Sequence, residues 1–354
     1  MKAQQVDASS SLNKTRRRTP TVRTVAKYAG VSVATVSRTL SRLGPVNPET
    51  AERVHQAIKA LGYSPDVQAG ALRSGRSRLF GLIVPRIANP LLLDMIQHIE
   101  QTAADAGYEV LVTSIELDSR QLSNALQRMM GRRVEGAILL SSDMDATPVE
   151  QRDGSNLPLV CINPLLASSG VCSLHIDYES GLLQAVRHLI KLGHLSICFV
   201  RGAWHHRYAR MRWEAFEKIM QAQKLSGKSV SHGKPRLLTI EELLHLRGAN
   251  ERPTAAICAN DITAMKLLQR ATQLGIRVPE DLSIVGIDDN HISRSTFPEL
   301  TTIRFPSTEI ASAAVNALLG PPSTDAEEPC AFTLETSLIV RNSTGRCTRK
   351  ARAK

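Results

Sequence analysis

Residues 21–41 read TVRTVAKYAGVSVATVSRTLS, and residues 45–65 continue PVNPETAERVHQAIKALGYSP. In the first stretch Val22, Val25, Ala26 and Ala29 recur at helical spacing, with Thr21 ahead as a cap and Gly30 behind as the turn residue. Ser32 is placed to cap a second helix over 33–41, with Val36 and Leu40 facing inward. Asn47-Pro48 opens a third, Asn as cap and Pro at the first helical position; its inward stripe is Val54, Ala57, Ile58 and Leu61, closed by Gly62. A helix, a tight glycine turn and a second helix form a helix-turn-helix, whose second helix enters the major groove of DNA. Spacing alone also fits a plain three-helix bundle.

Charge separates the two readings. The chain of 354 residues has a net charge of +11, and residues 1–78 carry 14 of its 44 Lys and Arg but only 4 of its 33 Asp and Glu. The first 78 residues are therefore at +10 and the other 276 at +1. A basic module beside a neutral body is the electrostatic footprint of a phosphate-backbone binder. Aromatics make up 4%, too few for a surface that stacks single-stranded bases.

On the second helix, Val33 and Ala34 sit at the exposed start, where side chains reach base edges. Val33 suits a thymine methyl, and Arg38, one turn on, suits guanine O6 and N7. Thr21, Ser32, Thr35 and Ser37 join them as phosphate-contacting positions, which orient without specifying sequence.

From residue 79 the pattern becomes alternating strands and helices. Strands are expected at LFGLIVP, YEVLVTS, VEGAILLSS, LPLVCI, LSICFV, TAAICAN, LSIVGID and near 331–340. Helices are expected at 91–106, 118–131, 178–193, 208–224, 261–275 and 306–319. Such alternation implies parallel sheets covered by helices, and its length implies two lobes. Ligands of such sheets bind beyond the carboxyl ends of the strands, here between the lobes. The expected division is a basic tail at 1–20, the helix-turn-helix at 21–65, a hinge at 66–78, the two-lobed domain at 79–342 with crossings near 178, 304 and 333, and a basic tail at 343–354.

The six cysteines (Cys161, Cys172, Cys198, Cys258, Cys330, Cys347) show no C-x-x-C spacing and read as small buried hydrophobes in a reducing compartment. The adjacent His205 and His206 lack a third ligand, so no metal is expected. Residues 1–20 are polar and basic rather than a signal peptide, and no apolar run is long enough to span a membrane, which points to the cytoplasm and its nucleoid. There is no nucleophile elbow, glycine-rich phosphate loop or H-E-x-x-H, so neither an enzyme, a catalytic residue nor a cofactor is expected.

The stretch AGVSVATVSRTLS, the later GYSPDVQAGALRSGRS, and the motifs DYESG, HLIKLGH, ANDITAM, LGIRVPEDLSIVGIDD and FPELTTI closely resemble the lactose-repressor (LacI–GalR) family of transcriptional regulators, over essentially all of residues 21–341. The resemblance implies an N-terminal three-helix helix-turn-helix head, a hinge helix, and an α/β two-lobed sensor domain like the periplasmic binding proteins. It implies a homodimer on double-stranded palindromic operator DNA, more often a repressor than an activator, controlled by a small-molecule effector, a carbohydrate or sugar acid. It assigns base reading to Val33, Ala34 and Arg38, and a minor-groove wedge to Leu72 with Arg73, Arg76 and Arg78 on flanking phosphates. For the effector it assigns Asn163, Arg212, Asn260, Asp261 and Asp288. Read without it, Asp261 can simply cap a helix, Asp288 and Asp289 a turn, and Arg212 can be a solvated helix arginine.

The chain departs from the family pattern in places. Thr24 stands where an Asp is usual, and Gly70 where the hinge commonly has Arg. The first lobe strand runs into Pro85-Arg86-Ile87-Ala88-Asn89-Pro90-Leu91-Leu92, with Arg86 in place of Asp and leucines in place of ring-stacking aromatics, and Pro164 follows Asn163. Arg86 together with Arg212 is expected to favour an anionic ligand.

Overall fold

The computed structural model describes residues 20–41, 45–64, 75–85, 90–116, 119–140, 157–162, 171–202, 207–225, 236–246, 252–320 and 330–348. The chain divides into two units, Met1–Ser77 and Arg78–Lys354.

In the first unit, helices α1 (Val22–Ala29), α2 (Val33–Ser41) and α3 (Pro48–Leu61) pack around Val25, Ala26, Ala29, Val36, Val54 and Ala57. The helices begin and end where the local chemistry dictates. Thr21 caps α1, the Asn47 side chain accepts from the Glu49 amide ahead of Pro48, and Gly30 and Gly62 close their helices in left-handed backbone.

The second unit holds two six-stranded sheets. The first, ordered β11-β5-β4-β3-β1-β2, contains β1 (Leu79–Pro85), β2 (Glu109–Ile115), β3 (Gly136–Leu139), β4 (Leu159–Ile162), β5 (Val171–Asp177) and β11 (Ala331–Glu335), all parallel. Helices cover both faces: α4 (Pro90–Asp105) packs over Phe80, Leu82 and Val84, while α5 (Ser119–Gly131) packs over Ile83 and Leu139. That is why these strands read as continuous apolar runs rather than alternating ones. The second sheet, β12-β10-β9-β8-β6-β7, contains β6 (Ile197–Val200), β7 (Arg236–Leu238), β8 (Ala255–Cys258), β9 (Ser283–Asp288), β10 (Thr301–Arg304) and β12 (Ser337–Ile339). Helices α6 (Tyr178–Lys191) and α7 (Arg207–Leu225) cover one face, α8 (Ile240–His245) and α9 (Asp261–Gln273) the other, and α10 (Ser307–Leu319) returns to the first sheet beside α4.

The chain passes between sheets three times. It leaves β5 at Asp177 for α6, leaves β10 after Arg304 for α10, and leaves β11 at Thr336 for β12. The three passages touch. The Thr336 hydroxyl donates to the Asp177 carbonyl (2.7 Å) and accepts from the Gly181 amide (3.1 Å), and a Cβ on Gly181 would lie 2.4 Å from Ile303.

Several expectations need correcting. The single last strand near 331–340 is two strands in different sheets, and β12 pairs antiparallel with β10. Strands β5, β7 and β10 were not expected at all. Residues 343–348 are not a tail: Ser343 is fully buried, its carbonyl accepts from the Ile284 amide (2.8 Å), and the Cys347 amide donates to the Leu192 carbonyl (2.8 Å). Leu91 is a core residue with Leu92 packed beside it. Cys161, Cys198 and Cys258 are buried thiols, and burial pushes the Cys198 thiol up to about 12, but Cys172 and Cys330, facing one another across β5 and the start of β11, form a disulfide. None of the described helices is long and apolar enough to cross a membrane.

Candidate nucleic-acid interface and effector site

On α2 the exposed positions are Val33, Ala34 and Arg38, while Val36 is fully buried in the three-helix core. The Ser32 hydroxyl accepts from the Thr35 amide (3.1 Å) and shares a hydrogen bond with the Thr35 hydroxyl (2.9 Å), so this pair fixes the start of the helix. Ser37 is half-buried, and Arg38 lies back along the helix with Nε 3.5 Å from the Ala34 carbonyl. Thr21 is exposed, and its amide donates to the Thr24 hydroxyl (3.0 Å) while the Thr24 amide donates to Thr21 Oγ1 (3.4 Å). Thr24 thus completes a capping box where an acidic residue was expected. The start of α2 therefore offers an apolar contact, a small residue and one cation on one solvent-facing side, at the helix N-terminus. That is the chemistry of base-edge and phosphate recognition. Leu72 and Arg73 lie outside the described residues, as does Gly70.

In the second unit, four predicted residues (Arg212, Asn260, Asp261 and Asp288) converge at the carboxyl ends of β8 and β9. Arg212, on α7, is 6% exposed. Its Nη1 donates to the Ala259 carbonyl (2.6 Å), its Nη2 donates to Asp288 Oδ1 (3.0 Å), and its guanidinium lies 4.7 Å from the centre of the Tyr178 ring. Burial works against this charge, but Tyr178 and Asp288 outweigh it and hold the guanidinium protonated. Arg212 Nε is buried with no hydrogen-bond partner among the described residues. Asp288 ends β9 with φ 133°, followed by Asp289 at φ 52°, two consecutive non-glycine residues in left-handed backbone. Such strain persists only where the surroundings over-determine it, typically at ligand clamps and switches.

Asn260 and Asp261 stand behind this pair. Asn260 is the cap of α9, its side-chain oxygen accepting from the Thr263 amide (2.8 Å) and hydroxyl (2.7 Å), so the capping role belongs to Asn260 and not to Asp261. Asp261 is fully buried, accepting from the Thr302 hydroxyl (2.6 Å) on Oδ1 and from the Asn290 amide (3.1 Å) on Oδ2. Burial, then the nearby Asp288, pushes its carboxyl up to about 7. Gly286 has to be glycine here, because a Cβ would sit 2.1 Å from Asp261 Oδ1.

Arg86 and Asn163, with Pro164, His205 and His206, lie outside the described residues. The sequence singles out Asp289 only as a candidate turn residue beside Asp288, and it does not point to Tyr178, Arg304 or Arg341. Asp289 is gripped by the other two basic residues: Arg304 Nε donates to Oδ2 (2.8 Å) and Arg341 Nη2 donates to Oδ1. Arg341 follows β12 and Arg304 ends β10, so without those strands nothing in the sequence connects them. A separate contact joins the two sheets' elements, with His291 Nδ1 3.1 Å from Asp94 Oδ1 on α4.

Comparison with known proteins follows the same division. Residues 21–66 match the model of bacterial regulatory proteins of the lacI family, and residues 186–344 match a periplasmic binding protein-like domain. The chain is 34% identical over 313 residues to the HTH-type transcriptional repressor PurR of Haemophilus influenzae (strain PittEE), covering 84% of this chain and 90% of that protein. It is 30% identical over 335 residues to the ribose operon repressor of Halalkalibacterium halodurans, covering 92% and 97%. Among solved structures, the lac repressor dimer bound to operator and the anti-inducer ONPF superposes with a TM-score of 0.74 at 27% identity, covering 92% of this chain and 99% of that one.

Proposed function

The chain belongs to the LacI family of bacterial regulatory proteins, and from that premise we propose a cytoplasmic, dimeric repressor, not an enzyme, whose grip on a palindromic operator is set by a small molecule held at Arg212 and Asp288. The start of α2 supports the DNA half: Val33, Ala34 and Arg38 contact bases while Thr21, Ser32, Thr35 and Ser37 orient the head on phosphates, with Leu72 and Arg73 acting from the hinge.

The observation that carries the effector half is the buried Arg212–Asp288 pair, whose Nε donor has no partner among the described residues. Its charges cancel within the pair. An anionic ligand would therefore gain little net attraction there, whereas a neutral, hydroxyl-rich ligand can give an acceptor to Nε and a hydroxyl proton to Asp288. We therefore favour a neutral sugar over a sugar acid. Asn163 and Arg86 contribute from the first lobe, and Asn260 and Asp261 hold the strand ends from behind.

For the dimer we assign a second copy of this chain to the apolar groove of about 380 Å³ lined by Ile262, Met265, Gln269, Thr272 and Phe297. Phe297 is 98% exposed, the most exposed large apolar side chain among the described residues, and a repressor that reads a palindrome needs such a self-complementary face.

The test is to select genomic fragments with the full chain and measure affinity for the recovered site at fixed salt. Arg38→Ala is expected to weaken it by about 5- to 150-fold, with little change on random DNA. D-ribose and D-ribonate, followed by other neutral sugars with their acids, are then titrated into the complex. An Arg38→Ala variant that loses nothing on the selected site, or loses the same factor on selected and random DNA, would refute the first half; acids that consistently outbind their neutral sugars would refute the second.

A further inference from the structure

The strained turn after β9 is held by groups that no ligand role explains. Asp289 is 3% exposed, at φ 52° directly after Asp288 at φ 133°. Its Oδ2 accepts from Arg304 Nε (2.8 Å), and its Oδ1 accepts from Arg341 Nη2 and the Ser293 hydroxyl (3.3 Å). Arg341 is itself nearly buried, and its Nη1 donates to the Leu300 carbonyl (2.7 Å) and to Ser293 Oγ (3.1 Å). The backbone on either side is tied too, since the Phe305 amide donates to the Asp288 carbonyl (3.2 Å) and the Asn290 amide to Asp261 (3.1 Å).

The two arginines come from particular places. Arg304 is the last residue of β10, where the chain leaves the second sheet for the first; Arg341 follows β12, the strand reached by the last passage, at Thr336. A buried carboxylate bound by two guanidiniums is a rigid junction: moving the nearly buried Arg341 would leave its own charge unpaired in a low dielectric, and the half-exposed Arg304 anchors the other carboxylate oxygen.

We propose that Asp289 is a positioning residue: clamped by Arg304 and Arg341, it keeps the neighbouring Asp288 in its strained backbone with the carboxylate against Arg212, and so ties the effector pair to the segments through which the chain passes between the sheets. The proposal rests on the reading that Arg212 and Asp288 hold the effector. A ligand that pulls on Asp288 then acts on the β10–α10 passage through a two-residue lever. Differential contact of this kind is what a population shift between lobe arrangements requires.

The test needs no ligand. The full chain is labelled at arginine nitrogen, and rotation of the Arg212 guanidinium is followed by NMR, with amide exchange at Asn290, Phe305 and Arg341. In Asp289→Asn, and more mildly in Arg304→Gln, Arg212 is expected to rotate at least about 10-fold faster at a temperature where each variant is fully folded. A role confined to stability would lower the unfolding midpoint and leave the folded-state rotation unchanged. Arg304 is 47% exposed, so Arg304→Gln carries the test should Asp289→Asn fail to fold. In a double-mutant cycle, Asp288→Asn is expected to speed exchange at Phe305 and Arg341 in the wild-type background, and to add less than about 2-fold after Arg304→Gln. Unchanged Arg212 rotation in the folded variants, or full additivity in the cycle, overturns the proposal. Failure of the effector reading is separate: sugar affinity would be indifferent to Arg212→Met while the guanidinium still responded to Asp289.

Discussion

Arg212→Met removes one half of a buried pair whose side chains are 7% and 0% exposed. The methionine fills much of the space of the arginine stem but leaves the Asp288 carboxylate without its 3.0 Å partner and the Ala259 carbonyl without its 2.6 Å donor. Breaking a buried pair from one side costs about 3–5 kcal/mol, most of it the uncompensated charge. A domain is stable by about 5–15 kcal/mol, so the variant is expected to fold but with a large share of its stability gone. At about 2–4 °C per kcal/mol for a domain approaching this size, the midpoint is expected to fall by roughly 6–20 °C. The diagnostic step is the second substitution. Arg212→Met with Asp288→Asn removes the stranded charge, and asparagine tolerates the left-handed backbone at that position, so about half of the lost stability is expected to return. Calorimetry and denaturant titration of the full chain without DNA measure both variants. If the single variant stays within about 1 kcal/mol of wild type, or the double variant is no more stable than the single, the pair is not the buried electrostatic unit described, and the charge-cancellation argument for a neutral effector goes with it.

Further outcomes follow from neighbouring geometry. The Asp261 carboxyl, pushed up to about 7 by burial and then by Asp288, keeps its proton where the unfolded chain, titrating from 3.8, has lost its own. This group's stabilising contribution is therefore present at low pH and lost as pH rises from about 4 to about 7; the difference between wild type and Asp261→Asn, measured by denaturation across that window, is expected to carry that slope, and a flat difference would count against the buried carboxyl. Gly286→Ala puts a Cβ 2.1 Å from Asp261 Oδ1 and 2.8 Å from Leu300 Cδ2 in the middle of the second sheet, and is expected to cost about 1–3 kcal/mol in the same assay. Phe297→Ser removes a 98% exposed ring, and sedentimentation equilibrium should show the dimer dissociation constant raised at least about 10-fold with the monomer's midpoint unchanged; an unchanged constant would place the interface elsewhere.

The head was legible from residues 21–62 because its determinants are local. Thr21, Gly30, Asn47-Pro48 and Gly62 cap helices through atoms a few residues away, and the apolar spacing that builds the three-helix core is visible in a window of one helix. The buried strands with uninterrupted apolar runs, such as Leu79–Pro85 and Ser283–Asp288, were legible for the same reason. Strand β10 was not, because its Thr301 and Thr302 are polar residues that become fully buried only when Ser343, Thr344 and Asp261 arrive as partners from elsewhere in the chain. The split of 331–340 into two sheets turns on Thr336 meeting Asp177 and Gly181, some 155 residues away in sequence. Arg212 and Asp288 could be named singly from the sequence, but their cancelling charges are a property of a 3.0 Å separation across 76 residues. The sequence by itself thus determined the DNA-reading head and the class of the sensor, since those rest on short-range spacing and net charge. Only the tertiary structure decided what the sensor's charges add up to and which passages hold them, because burial and pairing are set by residues that the chain separates and folding brings together.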